Sequence, residues 1–122
     1  MRQSVVVVDD NPEILTIIAR ILEPYYDVSL FRDGQRALDY LRDFGPPNLL
    51  MSDLRMPGLN GFMVLSEARR ICPGLKTMLV SGYVTGCCDD ELGIVTKFAS
   101  EMVSKPFRRN ELIKKIRKLI GC

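Results

Sequence analysis

Five short apolar runs alternate with segments of helical periodicity, several of those runs are apolar at every position, and no linker or repeat interrupts the chain. Together these features predict an α/β fold, a single doubly wound five-stranded parallel sheet with helices on both faces. The runs are Val5–Val8, Val28–Phe31, Leu49–Met51, Thr77–Val80 and Met102–Val103. Strands apolar at every position are buried on both sides, and right-handed crossovers then distribute the helices over the two faces. With 122 residues, 47% hydrophobic and 26% charged, the chain has the size of one domain and enough apolar side chain to close one core, so residues 1–122 read as one unit.

The helix ends carry their own signals. Asn11 suits the cap of the first helix and Pro12 its first turn; Ile14, Ile17, Ile18, Ile21 and Leu22 form the expected buried stripe, and Glu23-Pro24 ends it. The second helix runs from about Gly34 to Asp43 and breaks at Gly45-Pro46-Pro47. The third starts near Asn60-Gly61 and stops at Cys72-Pro73-Gly74, while the fourth, between Asp89 and Phe98, is weakened by Gly93. The fifth begins near Arg108, which lacks a capping side chain.

Composition narrows the function classes. No apolar run is long enough to span a bilayer and Met1 to Ser4 is too short and polar for a signal peptide, which points to the cytoplasm and away from a membrane. Cys72, Cys87, Cys88 and Cys122 show no paired CxxC spacing and histidine is absent, so a structural zinc site is not expected and reduced thiols are. Residues 105–122 hold seven Lys/Arg against one Glu, leaving ten against fourteen for the rest. Lys114, Lys115, Arg117 and Lys118 alternate with Leu112, Ile113, Ile116, Leu119 and Ile120 at helical spacing, which reads as a solvated helix face rather than a nucleic-acid contact.

In an open α/β sheet, ligands bind beyond the carboxyl ends of the strands. The residues there are Asp9-Asp10, Asp53, Ser81 and Lys105, and no glycine-rich phosphate loop follows the first strand. Taken alone, Asp9-Asp10 serves equally well as negative charge at a helix N-terminus, worth about 0.3–1 kcal/mol. Asp53 changes the balance, because two carboxylates about 4 Å apart repel by roughly 4 kcal/mol at an effective dielectric of 20. Such a cluster calls for a cation, and oxygen donors without His or Cys favour Mg2+. Lys105, its backbone constrained by Pro106, supplies positive charge to the same edge, and Ser81 offers a hydroxyl.

The segment Asp53-Leu54-Arg55-Met56-Pro57-Gly58-Leu59-Asn60-Gly61, with Asp9-Asp10, Ser81 and Lys105-Pro106-Phe107 in that order, resembles the receiver domains of two-component response regulators. The resemblance runs from Val5 to about Ile120 and extends to chemotaxis-regulator-like receivers. It implies a flavodoxin-like sheet of strand order 2-1-3-4-5. It implies Asp53 as phosphoacceptor, Mg2+ held by Asp10, Asp53 and the main-chain carbonyl of Arg55 with Asp9 assisting through water, and phosphoryl oxygens bound by Ser81 and Lys105. The implied donor is a sensor histidine kinase or phosphotransfer protein. The implied output is a surface around the fourth helix, fifth strand and fifth helix, read by a downstream protein or output domain. Such a domain is not an enzyme beyond catalysing its own phosphorylation and dephosphorylation.

Two departures stand out. The family commonly has an aromatic residue three positions before the lysine, where this chain has Met102, whose flexible thioether repacks but has no ring to swing. Tyr83 is either a substitute or a packing residue. Competing readings are an Asp-nucleophile phosphohydrolase, a phosphate-independent interaction module, and direct nucleic-acid binding. The first would place an acid two residues beyond its nucleophile, where Arg55 stands.

Overall fold

The computed structural model describes residues 2–54, 56, 58–81, 100–104 and 107–121. Within them lie β1 (Ser4–Val8), α1 (Pro12–Leu22), β2 (Asp27–Phe31), α2 (Gly34–Phe44), β3 (Leu49–Asp53), α3 (Gly61–Ile71), β4 (Lys76–Ser81), β5 (Glu101–Ser104) and a carboxy-terminal helix (Arg109–Ile120). The fourth predicted helix, together with Arg55, Tyr83, Cys87, Cys88, Lys105, Pro106 and Cys122, lies outside the described residues.

All four strand pairings are parallel and the sheet order is β2-β1-β3-β4-β5, the doubly wound arrangement expected. Side-chain alternation splits the core in two. Val6, Val8, Leu50 and Leu79 face α2 and α3, where they meet Leu38, Leu41, Val64 and Leu65. Val5, Val7, Leu49, Met51, Met78, Val80 and Val103 face α1 and the carboxy-terminal helix, meeting Ile18, Leu22, Leu112 and Ile116. Val5–Val8 of β1, all of β3 and Thr77–Val80 of β4 are thus buried, which explains the unbroken apolar runs.

The caps are local chemistry. Asn11 accepts a hydrogen bond from the Glu13 amide at 2.9 Å, and Asn60 caps α3 through the Met63 amide at 3.0 Å. Asp33, one residue before the expected start of the second helix, caps α2 by accepting from the amides of Gln35 (2.7 Å) and Arg36 (3.3 Å). Arg108 makes no side-chain cap, as its chemistry requires.

The α1 stripe needs one correction. Ile17 is 48% exposed, while Leu15 and Ala19 are buried beside Ile18 and Leu22. At about 100° per residue, Ile17 and Ala19 stand on opposite flanks of Ile18, and the helix is rotated so that the Leu15 and Ala19 side faces the sheet. Ile17→Ser is accordingly expected to change unfolding free energy by no more than about 0.5 kcal/mol in urea titration.

The basic face of the last helix is solvated at Lys114, Arg117 and Lys118, as its spacing predicts, and departs from that at Lys115. Lys114 is exposed, but Lys115 is half-buried and donates to the Met102 carbonyl at 2.5 Å. Lys115 and Lys118 both lie against Glu101, at 3.9 and 3.5 Å, and the Arg117 guanidinium sits 5.5 Å from the centre of the Tyr25 ring.

Candidate functional site

Parallel strands end at one edge of the sheet, and β1 and β3 are adjacent, so residues following Val8 and Ser52 in register arrive together. Asp9, Asp10 and Asp53 form a single cluster there, each offering a carboxylate oxygen, all within 4.8 Å of one another. Asp9 is 1% exposed and Asp53 8%, while Asp10 is half-buried and faces the opening.

The main chain around Asp9 and Asp53 is tied down. The Asp9 amide donates to the Phe31 carbonyl at 3.0 Å, and an Asp9 carboxylate oxygen accepts from the Asn11 amide at 2.9 Å, joining the acid to the start of α1. Beyond Asp53, the Leu54 amide donates to Val80 at 3.0 Å and the Gly61 amide donates to the Leu54 carbonyl at 2.8 Å. The Ser52 hydroxyl donates to the Asp53 carbonyl at 3.0 Å. The first turn of α3 is therefore clamped against the end of β3.

Two glycines make this clamp possible. Gly58 has φ +77°, a left-handed conformation that costs glycine nothing. Gly61 approaches so closely that a Cβ there would lie 2.5 Å from the Asp53 carbonyl oxygen and 2.8 Å from both Leu54 Cα and Leu79 Cδ1.

The donor set fits Mg2+: three oxygen-bearing acids at one spot, no imidazole in the chain, and one half-buried acid at the opening. The described residues bring together Asp9, Asp10 and Asp53 as the sequence leads one to expect. Ser81 ends β4 in register with Ser104, which sets its main chain at the same edge, although its side chain lies outside the described residues. Arg55, Tyr83 and Lys105 lie outside them as well. Met102 is half-buried against the α2–α3 core, opposite Leu79.

Sequence reasoning missed two features, one at the β5 edge and one beside the cluster. One is the clasp on Met102: its amide donates to the Glu101 carboxylate at 3.1 Å and its carbonyl accepts from Lys115, so both main-chain groups are held by side chains. The other is a cavity of about 500 Å³ beside Asp10, lined by Leu30, Arg32, Asp33 and Arg36. Its only sequence signal is a pair of arginines flanking the cap of the second helix.

Comparison with known proteins agrees with this geometry. Residues 5–117 match the model of the response regulator receiver domain. The chain is 35% identical over 120 residues to the DNA-binding response regulator MtrA of Mycolicibacterium smegmatis, covering 96% of this chain and 50% of that protein. It spans about half the length of the first curated relatives it matches. It is 26% identical to the response regulator receiver protein CpdR of Brucella abortus, covering 98% of each chain. Among solved structures, a CheY-like receiver domain protein from Methanospirillum hungatei superposes with a TM-score of 0.87 at 25% identity, covering 97% of this chain and 93% of that one. An acidic strand edge, a 2-1-3-4-5 sheet and a match along nearly the whole chain converge on one assignment: this chain belongs to the response regulator receiver domain family, as the receiver of a two-component response regulator.

Proposed function

We propose that Asp53 takes a phosphoryl group from a sensor histidine kinase or phosphotransfer protein, with Mg2+ as cofactor, and that the change is read by a downstream protein or output domain. The observation that carries this reading is the Asp9, Asp10 and Asp53 cluster, with Asp53 at the end of a central strand and Asp10 at the opening.

In the reaction, an Asp53 carboxylate oxygen bonds to phosphorus while the bond from phosphorus to the donor's imidazole nitrogen breaks, and that nitrogen keeps the electron pair. Asp53 is held for this by the clamped main chain on either side of it. Bound Mg2+ supplies positive charge to the phosphoryl oxygens. Asp10 and Asp53 would hold the metal directly, and the family resemblance adds the Arg55 carbonyl as a ligand and Asp9 through water. Ser81 and Lys105 take phosphoryl oxygens, a role resting on the family resemblance. The added charge of about −1.5 to −2 then biases the fourth helix, fifth strand and carboxy-terminal helix.

The domain catalyses only its own modification. An acid/base partner for phosphoester hydrolysis is wanting where Arg55 stands. No helix among the described residues is long and apolar enough to cross a membrane, and the proposed compartment is the cytoplasm.

The test is intact-mass analysis after incubation with acetyl phosphate and Mg2+. One phosphoryl group is expected on the parent and none on Asp53→Asn or in excess chelator. Equal labelling of Asp53→Asn overturns the assignment of Asp53, and undiminished labelling in chelator overturns the metal.

A further inference from the structure

The cavity beside Asp10 has a composition that the acidic cluster does not require. Arg32 and Arg36 are exposed, line the same space of about 500 Å³, and make no ion pair with the described residues. Arg42, by contrast, pairs with Asp39 and Glu67, and Arg70 with Glu67. Two acids share the cavity. Asp33 has one carboxylate oxygen committed to the amides opening α2, and Asp10 belongs to the metal-binding cluster. Leu30, 40% exposed, gives the cavity an apolar wall.

Asp10 lines this cavity and its carboxylate lies within 4.8 Å of that of Asp53, so the cavity and the acidic cluster share one residue. A donor with its phosphorus at Asp53 and its tail extending past Asp10 would meet two guanidinium groups. Guanidinium forks match carboxylate and phosphate oxygens, and methylene groups between two anionic ends match the Leu30 wall.

We propose that Arg32 and Arg36 form a second anion subsite for the phosphoryl donor, favouring small acyl phosphates that carry another anionic group at the far end of a short apolar tail. The proposal rests on Asp53 being the phosphoacceptor. In the transfer an Asp53 oxygen bonds to phosphorus as the phosphorus–oxygen bond to the acyl group breaks, and the electron pair stays on the released carboxylate. The distal anion on the two arginines is unchanged by the reaction.

The probes are succinyl phosphate and its monomethyl ester, two acyl phosphates of matched length that differ in the charge of the tail. Second-order labelling rates are read by intact mass with saturating Mg2+ at low ionic strength. The parent is expected to react about fivefold faster with the charged donor, the scale of two exposed charge contacts. In Arg32→Gln/Arg36→Gln the ratio is expected to fall to about one, and raising the salt on the parent is expected to lower it in the same direction. Using a ratio removes any general effect of the substitutions on folding or on Asp53. A ratio near one in the parent, or one preserved in the double variant, overturns the subsite and leaves the phosphoacceptor reading standing. Failure of both donors to label the parent overturns that reading, and the subsite with it.

Discussion

Gly61→Ala is expected to lower the stability of the domain by about 3 kcal/mol and to weaken Mg2+ binding at the same time. The new Cβ would lie 2.5 Å from the Asp53 carbonyl oxygen and 2.8 Å from Leu54 Cα, both main-chain atoms, so no side-chain rotation relieves the clash. The first turn of α3 has to move away, and the hydrogen bond from the Gly61 amide to the Leu54 carbonyl goes with it. Urea titration in chelator measures the stability loss, and a Mg2+ titration followed by amide shifts at Asp10 and Asp53 measures the second effect. Gly58→Ala tests a different cost, because its added Cβ meets nothing within 4 Å and only the positive φ is strained. Gly58→Ala should therefore cost less than Gly61→Ala, and the reverse order would show that contact with β3 is not what selects Gly61.

Asp10→Asn is expected to act in opposite directions with and without metal. Three carboxylates within 4.8 Å repel one another by roughly 1–3 kcal/mol per close pair, depending on how far water screens the half-buried Asp10. Removing one charge relieves that repulsion, so in chelator the variant should unfold at a urea midpoint above the parent's. In Mg2+ the order reverses. At a hundredfold excess over its dissociation constant the ion would stabilise the parent by about 2.7 kcal/mol, whereas a variant lacking a proposed ligand would gain little. Thermal unfolding of both proteins with and without Mg2+ gives all four values. A variant stabilised by Mg2+ as strongly as the parent would remove Asp10 from the metal site.

The strand-end acids were legible in the sequence because they depend on little beyond chain order. Unbroken apolar runs such as Val5–Val8 mark strands covered on both faces, and a parallel sheet brings the residues after those runs to one edge. Asn11 and Asn60 were legible as caps for the same local reason. What required coordinates was anything set by rotation or by contacts distant in the chain. Ile17 is as apolar as Ile18, and only the angle at which α1 meets the sheet separates exposed from buried. The Asp33 cap precedes a glycine that looks like a helix start in its own right. Gly61 stands within the recognised motif, yet its reason, a main-chain approach to Asp53, exists only once α3 is docked. The contacts of Glu101 with Lys115 and Lys118 join residues more than ten apart in the chain, and helical periodicity alone does not show that Lys115 is half-buried.

The clasp on Met102 makes the two borders of the sheet unequal. At the β5 border, a strand of only four residues has a main-chain donor and acceptor already engaged by Glu101 and Lys115. A strand arriving from another molecule meets charged side chains there in place of open hydrogen-bonding groups, which disfavours growth of the sheet on that side. At the β2 border the five-residue strand carries exposed Leu30, and its charged end, Asp27, pairs loosely with Arg2 at 4.0 Å. Crowded or partly unfolded copies of this domain would therefore join through the β2 border, and a lysine at position 30 is the substitution that would keep them apart.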